Sequence, residues 1–424
     1  MTDNQDDLPY SINNLSGISK ALRLFHIIEK DPSDSFISTA IHFLQQTSLT
    51  HFYKSWISSH PTLIHFFSSP LSSWLEQQES QNQHRLSQLL DEKKKAVQSL
   101  IAEQLRQSCL DRTRFFLSTG DLESAHVTVL ESREFSGNSL TTLDLSLLHA
   151  LILILLGHFE ESLQVLDRSN LILNELNKQS KENIVFESSI FESKILIFRG
   201  YAKFMTRNFA EASQIFEKCL ANNFEFSEFL SSTDISRYFL FSSLLSSPLS
   251  FVRQNVVENS VVQSFLSEES ILMGLAELFT SMDLKNFFQI LDSEEFLKFM
   301  SLEKSLDSVV NILIDNLIKR TLTLYISSFE NLKFSELAEI FVSKRLSETD
   351  LFKLIENLIE NENVGFRLKS ITNDYILVRQ SNLIDWDVFV DVSGSVNSVI
   401  GDCVNSTCRQ FVHLLSEKRG SDLT

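Results

Sequence analysis

The chain has 424 residues, 43% of them hydrophobic, and a formal net charge of −18. That apolar content supports a sizeable core and excludes wholesale disorder, while the length points to two or three domains. Only 10 glycines and 5 prolines are present, which excludes turn-rich β and collagen-like architectures and favours helices joined by short turns.

Residues 1–16 are polar and acidic and are expected to form a disordered tail, followed by N-terminal helices over 17–107. Leu22, Phe25 and Ile28, then Ile37, Ile41 and Leu44, recur at helical spacing, with Asp31-Pro32-Ser33 as the turn between them. Over 73–107 helix formers abound, hydrophobes are few and Gly and Pro are absent. This predicts one long charged helix, solvated on most sides and touching its neighbours through a narrow stripe. Lys93-Lys94-Lys95 sits among acids and reads as a solvated face rather than a nucleic-acid patch.

Helical repeats of the tetratricopeptide (TPR) kind are expected over 108–305. Gly120-Asp-Leu-Glu-Ser-Ala125 is echoed by Gly157-His-Phe-Glu-Glu-Ser162 and by Arg207-Asn-Phe-Ala-Glu-Ala212, spaced by 37 residues and then 50. Each follows one apolar helical run and precedes another. The physics is that of a helical hairpin: a residue that ends the first helix, an apolar anchor opening the second, and a small residue that lets the pair close. Beyond these, apolar periodicity continues through Tyr238, Phe241, Leu244 and Leu245, then over 256–265 and 272–279, with Met282 opening one further short helical unit.

A different module is expected over 306–381. One long amphipathic helix covers 309–329, a short one covers 334–341, and a third opens at Ser347 and runs through Leu351, Leu354, Ile355 and Leu358. The period then changes to alternation over 365–371 and 375–379, with 372–374 as a turn. Three helices followed by a hairpin is the order of a winged helix. Over 385–417, Phe389, Val392, Val396, Val399 and Cys403 follow a 3, 4, 3, 4 spacing, and Phe411 and Leu414 extend it. That heptad seam predicts a C-terminal helix that packs into a bundle with other chains.

Catalytic signatures are absent: no phosphate-cradling Gly-Lys loop, no His-Glu-x-x-His and no nucleophile elbow. His60, His65, His84, His149 and His158 are isolated in the sequence, and Glu160-Glu161, Glu268-Glu269 and Glu294-Glu295 read as solvated faces. Cys109, Cys219, Cys403 and Cys408 form no Cys-x-x-Cys pair and follow no secretory signal, so reduced thiols in the cytoplasm or nucleus are expected. The most apolar run, 143–156, falls short of a membrane span and contains His149.

Helical hairpins running into a winged helix and then a terminal helix resemble the order of a PCI-domain protein. Four stretches are similar to one family among these, the proteasome lid subunits called non-ATPase regulatory subunit 6. They are His51-Phe-Tyr-Lys54, Ser118-Thr-Gly-Asp-Leu-Glu-Ser-Ala125, Arg207-Asn-Phe-Ala-Glu-Ala-Ser213 and the entry to the winged helix over 319–332. Two stretches depart and mark a divergent member: Ser188-Ser-Ile-Phe-Glu-Ser-Lys194 has lost nearly all the basic residues of that family, and Arg379-Gln-Ser-Asn382 lacks its proline.

The resemblance implies a mainly α fold: a right-handed TPR-like solenoid, a winged-helix (PCI) module and a C-terminal helix. It implies a non-catalytic scaffold without cofactor or metal, in the cytoplasm and nucleus. The implied partners are other PCI lid subunits, the MPN-domain deubiquitinase subunits and the ATPase ring of the proteasome, with no membrane. Interfaces are expected at Tyr375, Leu377 and Arg379 on an open strand edge, and at Phe389, Val392, Val396, Val399, Phe411 and Leu414 on the terminal seam. The alternatives are a scaffold like the first subunit of the COP9 signalosome, and a nucleic-acid-binding winged helix. Against the latter, Glu348, Asp350, Glu356, Glu360 and Glu362 outnumber Lys353 on the third helix.

Overall fold

A computed structural model describes residues 12, 15–99, 101–133, 139–179, 185–222, 229–343, 345–361, 366–371 and 374–379. The chain is mainly α-helical and divides into two compact units, one of residues 1–322 with 340–347, the other of 323–339 with 348–424. The expected terminal helix over 385–417, with Phe389, Val392, Val396, Val399, Phe411 and Leu414, lies outside the described residues.

The first unit opens with α1 (Gly17–Lys30), α2 (Asp34–Gln45) and α3 (Thr50–Ser59). These close on the start of α4 (Ile64–Ser99) around Phe25, Ile28, Leu44, Tyr53, Trp56 and Phe67. The Phe25 ring meets Trp56 edge-on at 4.6 Å, a geometry that suits the aromatic quadrupole. Along α4 the buried or half-buried residues include Phe67, Leu71, Trp74, Leu75, Gln78, Glu79, Asn82, Leu86, Leu89, Lys93 and Ala96, close to the narrow stripe that the composition implies. The helix bounds differ from the expected 73–107. The helix begins at Ile64, carries Pro70 inside it and ends at Ser99, and α5 (Ala102–Thr119) starts afresh. Neither glycine nor proline marks that break.

Paired helices then stack: α5 with α6 (Leu122–Ser132), α7 (Ser139–Leu156) with α8 (Phe159–Gln179), and α9 (Val185–Met205) with α10 (Phe209–Ala221). Each hairpin turn is built the same way. Gly120, Gly157 and Arg207 have φ of 83°, 85° and 66°. Their N–H groups donate to Leu117, Ile154 and Phe204, and the next residues' N–H groups donate to Phe116, Leu153 and Lys203. This is the Schellman closure, which satisfies the last carbonyls of the first helix. The small residues five positions on, Ala125, Ser162 and Ala212, are all fully buried.

A fourth turn of this kind was not expected. Met282, at φ 58°, joins α14 (Ser270–Ser281), which covers the expected run 272–279, to α15 (Leu284–Leu291), the short unit expected from Met282. Met282 donates to Phe279 and Asp283 to Leu278, as in the other turns. Here Phe287 stands where the others have a small residue.

Between these hairpins run α11 (Ser232–Ser246), α12 (Leu249–Val252), a π-helical segment (Arg253–Val257) and α13 (Ser260–Phe265). After them come α16 (Glu294–Leu302) and α17 (Lys304–Ser327). Every residue of α11 from Ser232 to Leu244 is buried. By length and composition α7 is apolar enough to cross a membrane, contrary to the shorter run counted from the sequence. In the fold it packs against α6, α8 and α9, with Leu143, Leu147, Ala150, Ile152 and Leu153 buried. A helix covered on several sides by its own chain is apolar around much of its circumference.

The second unit contains the short strand β1 (Asn331–Lys333), most of α18 (Phe334–Phe341), α19 (Glu348–Asn361), β2 (Phe366–Ile371) and β3 (Asp374–Arg379). β2 and β3 form the expected hairpin, Phe366 opposite Arg379 and Ile371 opposite Asp374. β1, which the sequence did not announce, pairs antiparallel with β3, giving the order β1-β3-β2.

Candidate functional site

A buried group of charged side chains lies inside the first unit, where α1, α9, α11 and the ends of α14, α16 and α17 meet. Its centre is Asp234. Ser231 caps α11 by accepting from the Asp234 N–H, and the Asp234 carboxylate accepts back from the Ser231 N–H at 2.9 Å and hydroxyl at 2.8 Å. This capping box aims the same carboxylate at two guanidiniums, Arg23 at 2.7 Å and Arg237 at 3.1 Å. Asp234 is fully buried, and four donors fill its acceptor sites.

The two arginines carry the network outward. Arg23 also reaches Glu303 at 3.3 Å. Arg237 donates through Nε to both carboxylate oxygens of Glu269 at 2.9 and 2.8 Å, and through Nη2 as well. Tyr238 donates to Glu303 at 3.4 Å, and Tyr201 meets the Ser305 hydroxyl at 2.8 Å. Two guanidiniums therefore face the carboxylates of Asp234, Glu269 and Glu303, an excess of one negative charge.

Burial disfavours charge on every member, and the partners decide the outcome. Burial alone would raise the Asp234 pKa, but Arg23 and Arg237 hold it below the usual carboxylate range. Burial would likewise lower Arg23, but Asp234 and Glu303 hold it above its ordinary value; Glu269 and Asp234 do the same for Arg237. Tyr201 is pushed up to about 12, chiefly by burial, and Tyr238 well above its ordinary value by burial and then by Glu303. Both tyrosines stay protonated, and Tyr238 serves as a donor. Such a fully partnered set orders a fold.

The histidines thought isolated are not all so in space. His149 on α7 stacks on His126 of α6 at 5.1 Å, and its Nε2 lies 3.2 Å from His126 Nδ1. Arg133 Nη2 donates to His149 Nδ1 at 2.5 Å. An arginine only donates, so the His149 proton sits on Nε2 and points at His126. Burial, then Arg133 and His126, lower the His149 pKa to about 3. His149 is therefore neutral in the fold while its unfolded counterpart takes up a proton below about pH 6.5. As pH falls from there toward 3, the unfolded state gains protons that the native state does not. This contribution lowers stability by up to about 1.4 kcal/mol per pH unit. We expect the His149 ring resonances to stay flat from pH 8 to pH 5 in NMR titration, and His149→Gln to flatten the acid limb of stability. A His149 midpoint near 6.5 would refute the assignment.

Among the described residues, no group of three His, Cys, Asp or Glu is placed to hold a metal. Cys109 and Cys219 are buried and free, and burial pushes Cys219 up to about 12. A surface depression of about 520 Å³ lies between α4 and α5 and is lined by residues including Gln78, Asn82, Arg85 and Arg114.

In the second unit, β3 carries Tyr375, Leu377 and Arg379, and the expectation that it offers an open edge is corrected. β3 is the middle strand, with its backbone engaged by β1 on one side and β2 on the other. Leu377 lies opposite both Leu332 and Leu368 and is fully buried, so it builds the sheet's core face. Tyr375 is 43% exposed and its ring rests on Phe352 of α19 at 4.9 Å. Arg379 is exposed at the strand end. Among the described residues β1 and β2 each pair on one side only. The outer face of α19 presents Glu348, Asp350, Glu356 and Glu360 beside Lys353. The terminal-seam residues Phe389, Val392, Val396, Val399, Phe411 and Leu414 lie outside the described residues.

These features define a helical-hairpin protein with a small sheet-bearing unit and a buried ionic junction. Residues 72–254, from α4 into the π-helical segment, match the model of a family described as 26S proteasome subunit RPN7. That match supports a proteasome regulatory subunit. No curated protein matches the chain.

Proposed function

We propose that this chain is a non-catalytic structural subunit of the proteasome regulatory-particle lid. The observation that carries the reading is the family match over 72–254, which spans three of the hairpin turns. In this reading the stacked hairpins form a TPR-like solenoid, and the order helix, strand, helix, helix, hairpin is the winged-helix part of a PCI domain. Winged helices of neighbouring PCI subunits pack side by side, and the outer strands β1 and β2, rather than β3, offer the edges for pairing across chains. The partners are other PCI lid subunits, MPN-domain deubiquitinase subunits and the ATPase ring, in cytoplasm and nucleus. The subunit acts by placing those partners in ubiquitin-dependent degradation. The acidic face of α19 argues against the nucleic-acid reading, since groove binding needs a basic helix.

Purifying the tagged chain from its own cells and identifying what accompanies it tests this. Proteasome ATPases at stoichiometric yield are expected; a cullin-deneddylating complex would shift the reading to the COP9 signalosome. Deleting 386–424 is expected to abolish co-purification while far-UV circular dichroism stays helical. Normal incorporation of the truncated chain would remove the terminal seam from the account.

A further inference from the structure

The helical group 17–71 has an apolar core of its own, formed by Leu24, Phe25, Ile28, Leu44, Trp56 and Phe67. It is pinned to the hairpins on one side, where Leu122 and Leu155 pack against that core. There Phe52 approaches Gly120 so closely that an added Cβ would lie 2.4 Å from the Phe52 Cβ. On the other side its polar contacts come from one face of α1, at the spacing of Arg23, His26 and Lys30, and they meet the turn between α16 and α17. Arg23 reaches Asp234 and Glu303, His26 lies 3.0 Å from the Ser301 carbonyl, and Lys30 pairs with Asp307 at 2.8 Å. Lys298 reaches back to Asp31 at 3.2 Å.

The members of this seam are unequal. Lys30 and Lys298 are 40% and 66% exposed, so their pairs contribute little. Arg23 is buried, and it supplies one of only two cations facing the carboxylates of Asp234, Glu269 and Glu303. Without it Arg237 alone would face all three. The socket is complete only when α1 is seated, so one side chain couples sequence positions 280 residues apart.

We propose that the helical group 17–71 is a clasp that opens and closes as a unit on the α16–α17 turn, pivoting at the Gly120–Phe52 contact and bolted by Arg23. The open state leaves the hairpins folded, because their turns and cores do not involve α1. It also leaves the clasp folded, because Leu24, Phe25, Ile28, Leu44, Trp56 and Phe67 belong to one cluster within it. What opens is the ionic seam together with the packing of α1 on α16. This makes the N-terminal helices the low-stability element of the first unit, released before the rest.

Amide hydrogen exchange on the full chain tests the clasp. In Arg23→Met, protection over 17–30 and 296–308 is expected to fall at least tenfold, with no change over 195–220. Adding Glu303→Gln removes one of the carboxylates left over, and the double variant is expected to recover most of the lost protection. Arg23→Lys, which keeps the charge without the fork, is expected to fall between wild type and Arg23→Met. Three results would overturn the proposal: uniform loss across all helices, unchanged exchange in Arg23→Met, or a double variant as exposed as the single one.

Discussion

Asp234→Ala is expected to cost the first unit about 3–5 kcal/mol, the range for breaking a buried ion pair and leaving the partner charge uncompensated. The cost has several sources in one side chain. Two buried guanidiniums, Arg23 and Arg237, lose a shared partner, and the Ser231 N–H and hydroxyl lose their acceptor. Urea unfolding followed by circular dichroism reads the loss as a lower midpoint. Asp234→Asn keeps one acceptor oxygen but not the charge, so it is expected to lie between wild type and Asp234→Ala. The pH dependence follows from the direction of the shift. A carboxylate held below its unfolded value contributes stability that is fully present above about pH 4 and is lost as pH falls through the folded pKa. Asp234→Asn is therefore expected to match wild type more closely at pH 2 than at pH 7. A constant gap between the two across that span would mean that the carboxylate's charge is not what Arg23 and Arg237 require.

Much of this architecture was legible because helix ends are written in local chemistry. Gly120, Gly157 and Asn208 announced their turns, and the apolar spacing through Phe25 and Ile28, or Leu351 and Ile355, fixed which faces are covered. The fourth turn escaped because Met282 occupies a left-handed position that glycine normally marks, although Asp283-Leu284 repeats Asp121-Leu122. β1 escaped because three residues cannot display alternation, and without it β3 looked like an edge. The ionic junction was beyond local reading altogether. Arg23 sits among Leu22, Leu24 and Phe25, an anomaly visible in sequence, but its partners lie more than 200 residues away. Pattern reports which face is buried; it does not report what a buried charge will meet.

The repeat turns separate two costs that are usually mixed. Gly120 and Gly157 share nearly the same φ, 83° and 85°, and the same pair of closing hydrogen bonds. Alanine at either position pays the left-handed penalty of about 1–2 kcal/mol. Their surroundings differ. A Cβ at Gly157 meets nothing within 4 Å, whereas one at Gly120 falls 2.4 Å from the Phe52 Cβ, 3.1 Å from its backbone nitrogen and 3.2 Å from its Cα. Backbone cannot swing aside as a side-chain tip can, so overpacking adds about 1–3 kcal/mol at Gly120 alone. Gly120→Ala is therefore expected to lower stability by about 2–5 kcal/mol and Gly157→Ala by about 1–2 kcal/mol, read as the difference between their urea midpoints. The third turn supplies the opposite sign. Arg207 holds φ 66° with a side chain, so Arg207→Gly relieves strain and loses some backbone entropy, for a net change within about 1 kcal/mol and on the stabilising side. Equal losses at Gly120 and Gly157 would mean that the N-terminal helices do not press on the first turn as closely as Phe52 indicates.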